Sequence, residues 1–255
     1  MKLKKIVLIC ISIIILILIF VGCYIYAENE KKVAVFGYHG VLPRANNTSG
    51  DNLIIDLETF EKQLQFLDKM GYKTMTLDEF YCWKEGKCKK NHKSVLITFD
   101  DGYINNFDYA YEVLKKYNMN AIVFCVGGFV EANDKLHMNK EKLEQMKIKY
   151  PNVEIASHSY NLHFHSDKKY EEVVNDINSM KEIVDTQYYA YPFGDYNDEY
   201  IKAIKDNNFK MAFTFGPKKE HRKADLSDDN YKIPRLNISK DMPMYKFILR
   251  LILPM

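Results

Sequence analysis

The sequence predicts an α/β fold, with a parallel sheet or barrel, preceded by one membrane-spanning helix. From residue 33 onward, short apolar runs alternate with amphipathic segments, which is the pattern of strands joined by helices in a parallel sheet. Before that point, residues 6–26 contain no charge, and about 20 apolar residues suffice to cross a bilayer. Polar side chains directly follow several apolar runs, which favours a site at the ends of strands.

The N-terminal segment, residues 6–26, reads IVLICISIIILILIFVGCYIY and is apolar on all faces. It is longer than the core of a cleaved signal peptide, which spans about 7–15 residues. Lysines within residues 1–5 indicate a cytoplasmic N-terminus, although Lys31 and Lys32 on the other side weaken that orientation. Residues 20–23, FVGC, loosely resemble a lipoprotein signal, which is the alternative. We expect an uncleaved, single-pass anchor in the cell membrane, with the domain outside the cytoplasm.

The remaining sequence is predicted to form one domain, residues 33–255, after a cytoplasmic N-terminus (1–5), the anchor (6–26) and a linker (27–32). With 255 residues, of which 47% are hydrophobic, the chain can bury a sizeable core. Its formal net charge is +2 and its lysines are scattered. The charge therefore gives no case for a nucleic-acid partner.

The spacing of the apolar residues distinguishes the predicted helices from the predicted strands. In residues 57–72, Phe60, Leu64 and Leu67 recur at steps of three and four, which predicts a helix ending near Gly71. Similar spacing predicts helices within residues 105–118 and 169–184. The candidate strands are residues 33–38, 94–99, 121–126, 153–157, 188–193 and 210–215.

Polar residues follow four of these strands at the point where each ends. His39 follows the first, the pair Asp100 and Asp101 follows the second, His158 follows the fourth, and Gly194-Asp195 follows the fifth. In α/β barrels the active site lies at the carboxyl ends of the strands. Independent surface residues would rarely align in this way, so the pattern predicts one site.

The two adjacent carboxylates in TFDDGY would repel each other at a strand end. A nearby cation resolves this conflict, because it stabilises the charged form of both groups. Since neighbouring side chains diverge, one aspartate could bind a metal while the other faces a water molecule. A helix cap or Asx turn is the alternative for a bare Asp-Asp-Gly tripeptide.

Three of the seven histidines lie in SHSYNLHFHS, at positions 158, 163 and 165. His163 and His165 would share one face of a strand, because side chains alternate there. His158 and His163 can converge only if the chain turns between them. Spacing alone therefore leaves the choice of ligands open.

Several of these segments together resemble motifs of the polysaccharide deacetylases, the NodB-homology family of carbohydrate esterases. The first resembling motif lies in SVLITFDDGYINNFDYAYEVLKKYNMNAIVFCV, the second is HSYNLH and the third is YAYPFG. GYHGV and KTMTLDEF resemble the N-terminal part of one branch. The resemblance covers roughly residues 33 to 238. It implies a distorted (β/α) barrel.

By this resemblance, Asp100 matches the general base, and Asp101, His158 and His163 match the metal ligands. Many family members space the two histidines four residues apart. The five-residue step here resembles the branch that deacetylates poly-β-1,6-N-acetylglucosamine. His165 is then left as an ordinary loop residue.

The resemblance implies a divalent metal ion as cofactor. One carboxylate and two neutral imidazoles suit zinc, and also suit cobalt, nickel or iron. Such a three-ligand site keeps positions open for water and substrate.

The family motifs also imply groups around the reacting amide. The turn Tyr191-Pro192-Phe193 matches the substrate-binding turn, with the Phe193 N–H as an oxyanion donor. His39 matches the general acid of the resembling branch. Many members carry a base-orienting arginine where this chain has Ala190. Arg235 is the candidate replacement, and a surface ion pair is its alternative role.

The resemblance implies an N-deacetylase that releases acetate from N-acetylglucosamine units of a cell-surface polysaccharide. The exposed amines would become cationic, which would change how the polymer adheres, as in a biofilm matrix. The alternatives are a peptidoglycan deacetylase, a non-catalytic glycan-binding barrel and an O-acetyl esterase. The expected partners are the polysaccharide and, through the N-terminal helix, the membrane.

The remaining candidates are structural. Cys82 and Cys88 could form a disulfide or stay as free thiols, whereas Cys125 is expected in the core. The apolar C-terminal segment is expected to pack on the barrel as a helix, with a contact to the membrane surface as the alternative. The other histidines, expected at the surface, are His92, His137 and His221.

Overall fold

The N-terminal helix is continuous and leads almost directly into the first strand of the barrel. The computed structural model of the protein describes residues 2–48, 50–164, 168–215 and 222–254. Helix α1 covers Lys2–Glu30, and strand β1 begins at Lys32, so most of the predicted linker is helical. Within the described residues, α1 is the helix long and apolar enough to cross a membrane, and its span is not buried by protein.

The strands that follow have the alternation with helices that the sequence predicts. Seven of them form the path of a parallel sheet, in the order β1-β5-β6-β7-β8-β9-β11. β5 is buried along its whole length, as expected for a strand covered on both faces. These strands are Lys32–Tyr38 (β1), Ser94–Asp101 (β5), Ala121–Cys125 (β6), Val153–Ser157 (β7), Tyr188–Ala190 (β8), Met211–Thr214 (β9) and Ile233–Pro234 (β11).

A five-residue segment, 233–237, nearly closes the sheet into a barrel. Its first part, β11, pairs with β9, where Ile233 lies opposite Phe213. Its last part, β12 (Leu236–Asn237), pairs in parallel with β1 at the far edge of the path. Arg235 therefore sits at the point where the two edges of the sheet meet. The fold is the predicted distorted barrel.

Short strands and the helices complete the structure around this sheet. The remaining strands are Gly40–Leu42 (β2), Ile54–Asp56 (β3), Lys73–Thr74 (β4) and Ala224–Asp225 (β10), of which β10 is antiparallel to β1. The helices are Leu57–Lys69 (α2), Leu77–Lys84 (α3), Tyr111–Lys116 (α4), Gly127–Ala132 (α5), Lys140–Lys149 (α6), Tyr170–Lys181 (α7), Asp198–Asp206 (α8) and Met244–Ile252 (α9). A π-helical turn, Asn106–Ala110, precedes α4.

The core forms where the helices cover the sheet. The predicted stripe of α2 is buried at Phe60, Leu64 and Leu67. The Phe60 ring packs edge-on against Tyr38 and Phe99, which lie on two neighbouring strands. Burying one such side chain contributes about 1.5–3 kcal/mol. This packing fixes the strands whose ends carry the polar residues.

The predicted core position of Cys125 and the predicted packing of the C-terminal helix are confirmed, and the choice left open for Cys82 and Cys88 falls to the disulfide. Cys125 is buried in the core, and the sulfurs of Cys82 and Cys88 are bonded. The C-terminal helix α9 packs on the barrel through Phe247, whose ring stacks on Phe36 at 4.8 Å.

Candidate active site

Four predicted site residues converge at the carboxyl ends of three strands of the parallel sheet. Asp100 and Asp101 end β5, His39 follows β1, and His158 follows β7. From Asp100 Oδ2, the Nε2 atoms of His39 and His158 lie 4.0 Å and 3.8 Å away. The predicted alignment is therefore present for three of the four strand ends, with both aspartates and His158 buried and His39 partly exposed, whereas Asp195, after the fifth candidate strand, is exposed.

The backbone at the end of β5 separates the two adjacent aspartates. Asp101 and Gly102 both have left-handed backbones, with φ values of 67° and 74°. A glycine tolerates this conformation at no steric cost, whereas a non-glycine residue there is strained. The turn directs Asp100 toward Arg235 and Asp101 toward His163. Two neighbouring carboxylates thus have different partners.

Arg235 is fully buried and binds both oxygens of Asp100. Its Nη1 donates to Asp100 Oδ1 at 2.6 Å and its Nη2 to Oδ2 at 2.8 Å. Burial raises the pKa of Asp100, but the charges on Arg235, His158 and His39 outweigh burial and hold it well below its usual value. The surface ion pair considered for Arg235 is wrong, because Asp100 and Arg235 are both interior residues.

The hydrogen bonds of His158 prepare its Nε2 atom to act as a ligand. Its Nδ1 lies 2.7 Å from the carbonyl oxygen of Ala190, so Nδ1 carries the proton and Nε2 keeps its lone pair. Burial lowers the pKa of His158 to about 4, which makes the imidazole neutral near pH 7. Ala190 therefore contributes its backbone carbonyl to the site.

A turn after His158 brings His163 back to the site. Ser159 has a left-handed backbone, with φ 70°, and Leu162–Phe164 forms a short 3-10 helix. Asp176 on α7 accepts the N–H groups of Tyr160 and Asn161 at 2.8 Å and 2.7 Å, which holds the turn in place. Asp176 was not predicted as part of the site.

Asp101, His158 and His163 form a cluster suited to a metal ion. Their ligand atoms lie within 4.8 Å of one another. Asp101 Oδ1 is 3.0 Å from His163 Nε2 and 3.7 Å from His158 Nε2. Burial raises the pKa of Asp101, but the contact with His163 and the charge of His158 have a larger effect in the opposite direction. The pKa therefore lies below its usual value, and this carboxyl is ionised. One carboxylate and two imidazoles fit a divalent transition metal. His165 lies outside the described residues.

His39 is held at the edge of the same cluster. Its carbonyl accepts the side-chain amide of Asn106 at 2.6 Å, and its ring lies nearly parallel to Phe215 at 6.1 Å. Its side chain is partly exposed, and its Nδ1 has no hydrogen-bond partner among the described residues. His39 is therefore placed where it could reach a bound substrate.

The predicted substrate-binding turn lies beside His163, but its three residues have different environments. Phe193 has φ 59° and is 66% exposed, and its ring lies 4.9 Å from that of His163. Pro192 is buried. The Tyr191 side chain instead lies in the core, where its hydroxyl donates to the Tyr231 carbonyl. Its ring therefore faces away from a substrate, and only Pro192 and Phe193 remain candidates for contact.

Of the three histidines predicted at the surface, His137 is the one that the structure places in the interior. His137 is buried, stacks on Phe129 at 4.2 Å and pairs with Asp134. Phe129 also contacts the His163 ring, so His137 belongs to the surroundings of the metal cluster. His92 is half-buried at the opposite end of the barrel, where it stacks on Tyr26. His221 lies outside the described residues.

Comparisons with known proteins agree with this fold and with the family motifs. A family model described as polysaccharide deacetylase matches residues 87–212. The poly-beta-1,6-N-acetyl-D-glucosamine N-deacetylase of Staphylococcus epidermidis is 31% identical over 207 residues, which is 74% of this chain and 70% of that protein.

Solved structures of deacetylases share the architecture. The Streptococcus pyogenes deacetylase PplD superposes with a TM-score of 0.74 at 22% identity, covering 86% of this chain and 98% of that one. IcaB from Ammonifex degensii gives a TM-score of 0.68 at 24% identity, covering 83% and 93%. At these identities the likeness shows the fold, and the site must be judged from its own geometry.

Proposed function

Because this chain belongs to the polysaccharide deacetylase family, we propose that its site removes N-acetyl groups from N-acetylglucosamine units of a cell-surface polysaccharide by metal-dependent hydrolysis. One observation carries the proposal. Arg235 binds both oxygens of Asp100, whereas its neighbour Asp101 lies closest to His163, at 3.0 Å. His158 Nε2 is nearly equidistant from the two carboxylates, at 3.8 Å from Asp100 and 3.7 Å from Asp101. The adjacent carboxylates thus have the separate surroundings that a general base and a metal ligand require.

Asp101, His158 and His163 are the residues that would hold a divalent metal ion. When bound, the metal supplies Lewis acidity toward the acetyl carbonyl and the attacking water. Zinc suits this donor set, and cobalt, nickel or iron would also fit. The bond from His158 to the Ala190 carbonyl fixes the ring orientation that metal binding needs.

Asp100 is proposed as the general base. Its carboxylate is ionised, and Arg235 holds both of its oxygens, so its orientation is fixed before substrate binds. As water adds to the acetyl carbon, Asp100 takes the water proton. The oxyanion that develops would accept a hydrogen bond from the Phe193 backbone N–H.

His39 is proposed as the general acid. An amine leaves poorly until it is protonated, so breakage of the carbon–nitrogen bond needs a proton donor. His39 Nε2 lies 4.0 Å from Asp100 Oδ2, so base and acid border the same space. Proton transfer from His39 to the amide nitrogen would yield free acetate and a glucosamine unit.

The proposed substrate is poly-β-1,6-N-acetylglucosamine. This choice is supported by the name of the Staphylococcus epidermidis relative and by the five-residue step between His158 and His163. We further propose that α1 is an uncleaved anchor and that the domain lies outside the cytoplasm, next to a surface polymer. The apolar helix and the lysines that precede it support this topology.

Acetate release tests the proposal. The metal-loaded full chain should release acetate from poly-β-1,6-N-acetylglucosamine faster than from peptidoglycan. Asp100→Asn should lose this activity while keeping its metal, and Asp108→Asn, a nearby charge change, should keep both. Faster release from peptidoglycan would reassign the substrate. Unchanged turnover in Asp100→Asn would remove Asp100 as the base.

A further inference from the structure

A cavity lies at the end of the barrel opposite the active site. It has a volume of about 270 Å³ and lies between the end of α1 and the amino ends of β1 and β5. β1 has seven residues, with Lys32 at its start and His39 just beyond its end. At about 3.3 Å per residue, the two sites are separated by roughly 20 Å.

One wall of this cavity is apolar and is partly formed by the proposed membrane span. Gly22 and Ile25 of α1 line it, together with Leu251 and Ile252 of the C-terminal helix. The two helices are joined here, because the Asn29 side chain donates to the Ile252 carbonyl at 2.8 Å. An anchor at residues 6–26 would place this wall at the outer edge of the bilayer.

The other wall is cationic. Lys32, Lys93 and Lys223 line it, with His92 beside them. Lys223 is only 4% exposed, and its ammonium donates to two uncharged acceptors, the Asn29 side-chain carbonyl and the Leu251 carbonyl. Burial, with the charges of Lys90 and Lys32, lowers its pKa to about 7. A buried ammonium surrounded by other ammonium groups gains more from an anion than from further neutral acceptors.

Two carboxylates near this wall offset only part of the charge. Glu28 lies 4.0 Å from the Lys32 ammonium and 3.6 Å from that of Lys31. Glu30 contacts the His92 ring. Neither carboxylate forms an ion pair with Lys223 among the described residues. Three lysines line the cavity, whereas two carboxylates lie near it, so positive charge is in excess there.

We propose that this cavity binds the phosphate of an anionic phospholipid, with its lysines on the headgroup and its apolar wall along the adjoining chains. The proposal rests on the membrane topology proposed for α1. A lipid fits better than free phosphate because Gly22 and Ile25 belong to the span and share the cavity with the lysines. Ile252 also lines the cavity and is 40% exposed, so the apolar surface continues outward.

Lipid binding by the full chain tests the proposal directly. The protein, held in neutral detergent micelles, is titrated with phosphatidylglycerol, phosphatidylcholine or inorganic phosphate, and bound molecules are counted by native mass spectrometry. We expect one retained phosphatidylglycerol per chain. Lys223→Gln should weaken its binding at least about tenfold, because a charge-assisted contact is lost. Lys93→Gln, at a less buried position, should weaken it in the same direction.

Controls separate this site from folding and from catalysis. Lys181→Gln, a charge loss on an exposed position of α7, should bind phosphatidylglycerol like the wild type. Acetate release should be unchanged in Lys93→Gln, since the active site is at the other end of β1. Equal phosphatidylglycerol binding by Lys93→Gln and wild type would overturn the proposal. Phosphate binding as tight as phosphatidylglycerol binding would also overturn it. Neither result depends on whether the deacetylase activity is found.

Discussion

The two ends of the barrel differ in the partners of their buried charged side chains. At the carboxyl ends of the strands, Asp100 is paired with Arg235, and Asp101 faces two histidines. At the amino ends, Lys223 and Lys32 donate to neutral carbonyls of the C-terminal segment. The first end provides its own counter-charges and is organised for chemistry. The second has a cationic excess, which suits an anion from outside the protein.

The largest effect should come from the proposed acid at the carboxyl end. His39→Gln should reduce amide hydrolysis by about 10²–10⁴-fold, the usual contribution of a positioned proton donor. Hydrolysis of 4-nitrophenyl acetate should fall much less, because its leaving group needs no proton. His92→Gln, at the amino end, should leave both rates unchanged. Equal losses on amide and ester would contradict the acid role of His39.

Loss of the ion pair between Arg235 and Asp100, at the same end, should give a large loss in the free energy of unfolding. Arg235→Met leaves the Asp100 carboxylate buried without its partner, which should lower the free energy of unfolding by about 3–5 kcal/mol. Arg235→Lys should recover only part of this loss, because lysine cannot bind both oxygens in the same fork geometry. Denaturant unfolding measures both variants. Wild-type stability in Arg235→Met would disprove the pairing.

At the amino end, stability should depend on pH through Lys223. Burial lowers the pKa of Lys223 to about 7, whereas an unfolded lysine titrates near about 10.4. Between these values the unfolded chain binds more protons, so stability should rise with pH. Relative to Lys223→Gln, the wild type should gain about 2–3 kcal/mol between pH 7 and pH 9. Thermal unfolding without anionic lipid measures this, and parallel pH profiles would contradict it.

A smaller effect is expected from the support of the His158–His163 turn. Asp176→Asn replaces one of the oxygens that accept the Tyr160 and Asn161 N–H groups, so His163 should be held less firmly. Metal affinity should fall about tenfold, as for other groups that orient ligands. Asp206→Asn, an exposed change on α8, is the control. Calorimetric titration with zinc would detect the difference, and equal affinities would remove Asp176 from this role.

Most active-site residues at the carboxyl ends of the strands could be predicted from the sequence, because the end of a strand is visible in a short stretch of residues. Apolar runs mark the strands, and the residues that follow them must meet in a parallel barrel. The positions of Asp100, Asp101 and His158 follow from this rule. His163 could be assigned only through the family motif. It lies five residues after His158, so the two side chains can meet only if the chain turns between them.

The remaining features depend on contacts between distant segments. Asp176 supports the turn from a helix, and nothing in its local sequence separates it from other surface acids. The Tyr191 side chain lies in the same core cluster as Tyr189, because side chains two residues apart share one face of a strand and this alternation continues past Ala190. His137 is buried by stacking on Phe129, although polar residues flank its short segment at positions 133–135 and 139–140. The lysine cavity brings together the end of α1, the start of β5 and the C-terminal helix, which no single motif spans.

Metal content and acetate release, measured on the same protein samples, test whether Asp101, His158 and His163 form a catalytic metal centre. Wild-type protein, His163→Ala and His92→Ala would be purified identically, and bound metal and turnover of poly-β-1,6-N-acetylglucosamine would be measured on each. We expect about one metal ion per chain in the wild type and in His92→Ala, with equal turnover. His163→Ala should lose both. Wild-type metal content and turnover in His163→Ala would contradict the proposed metal centre.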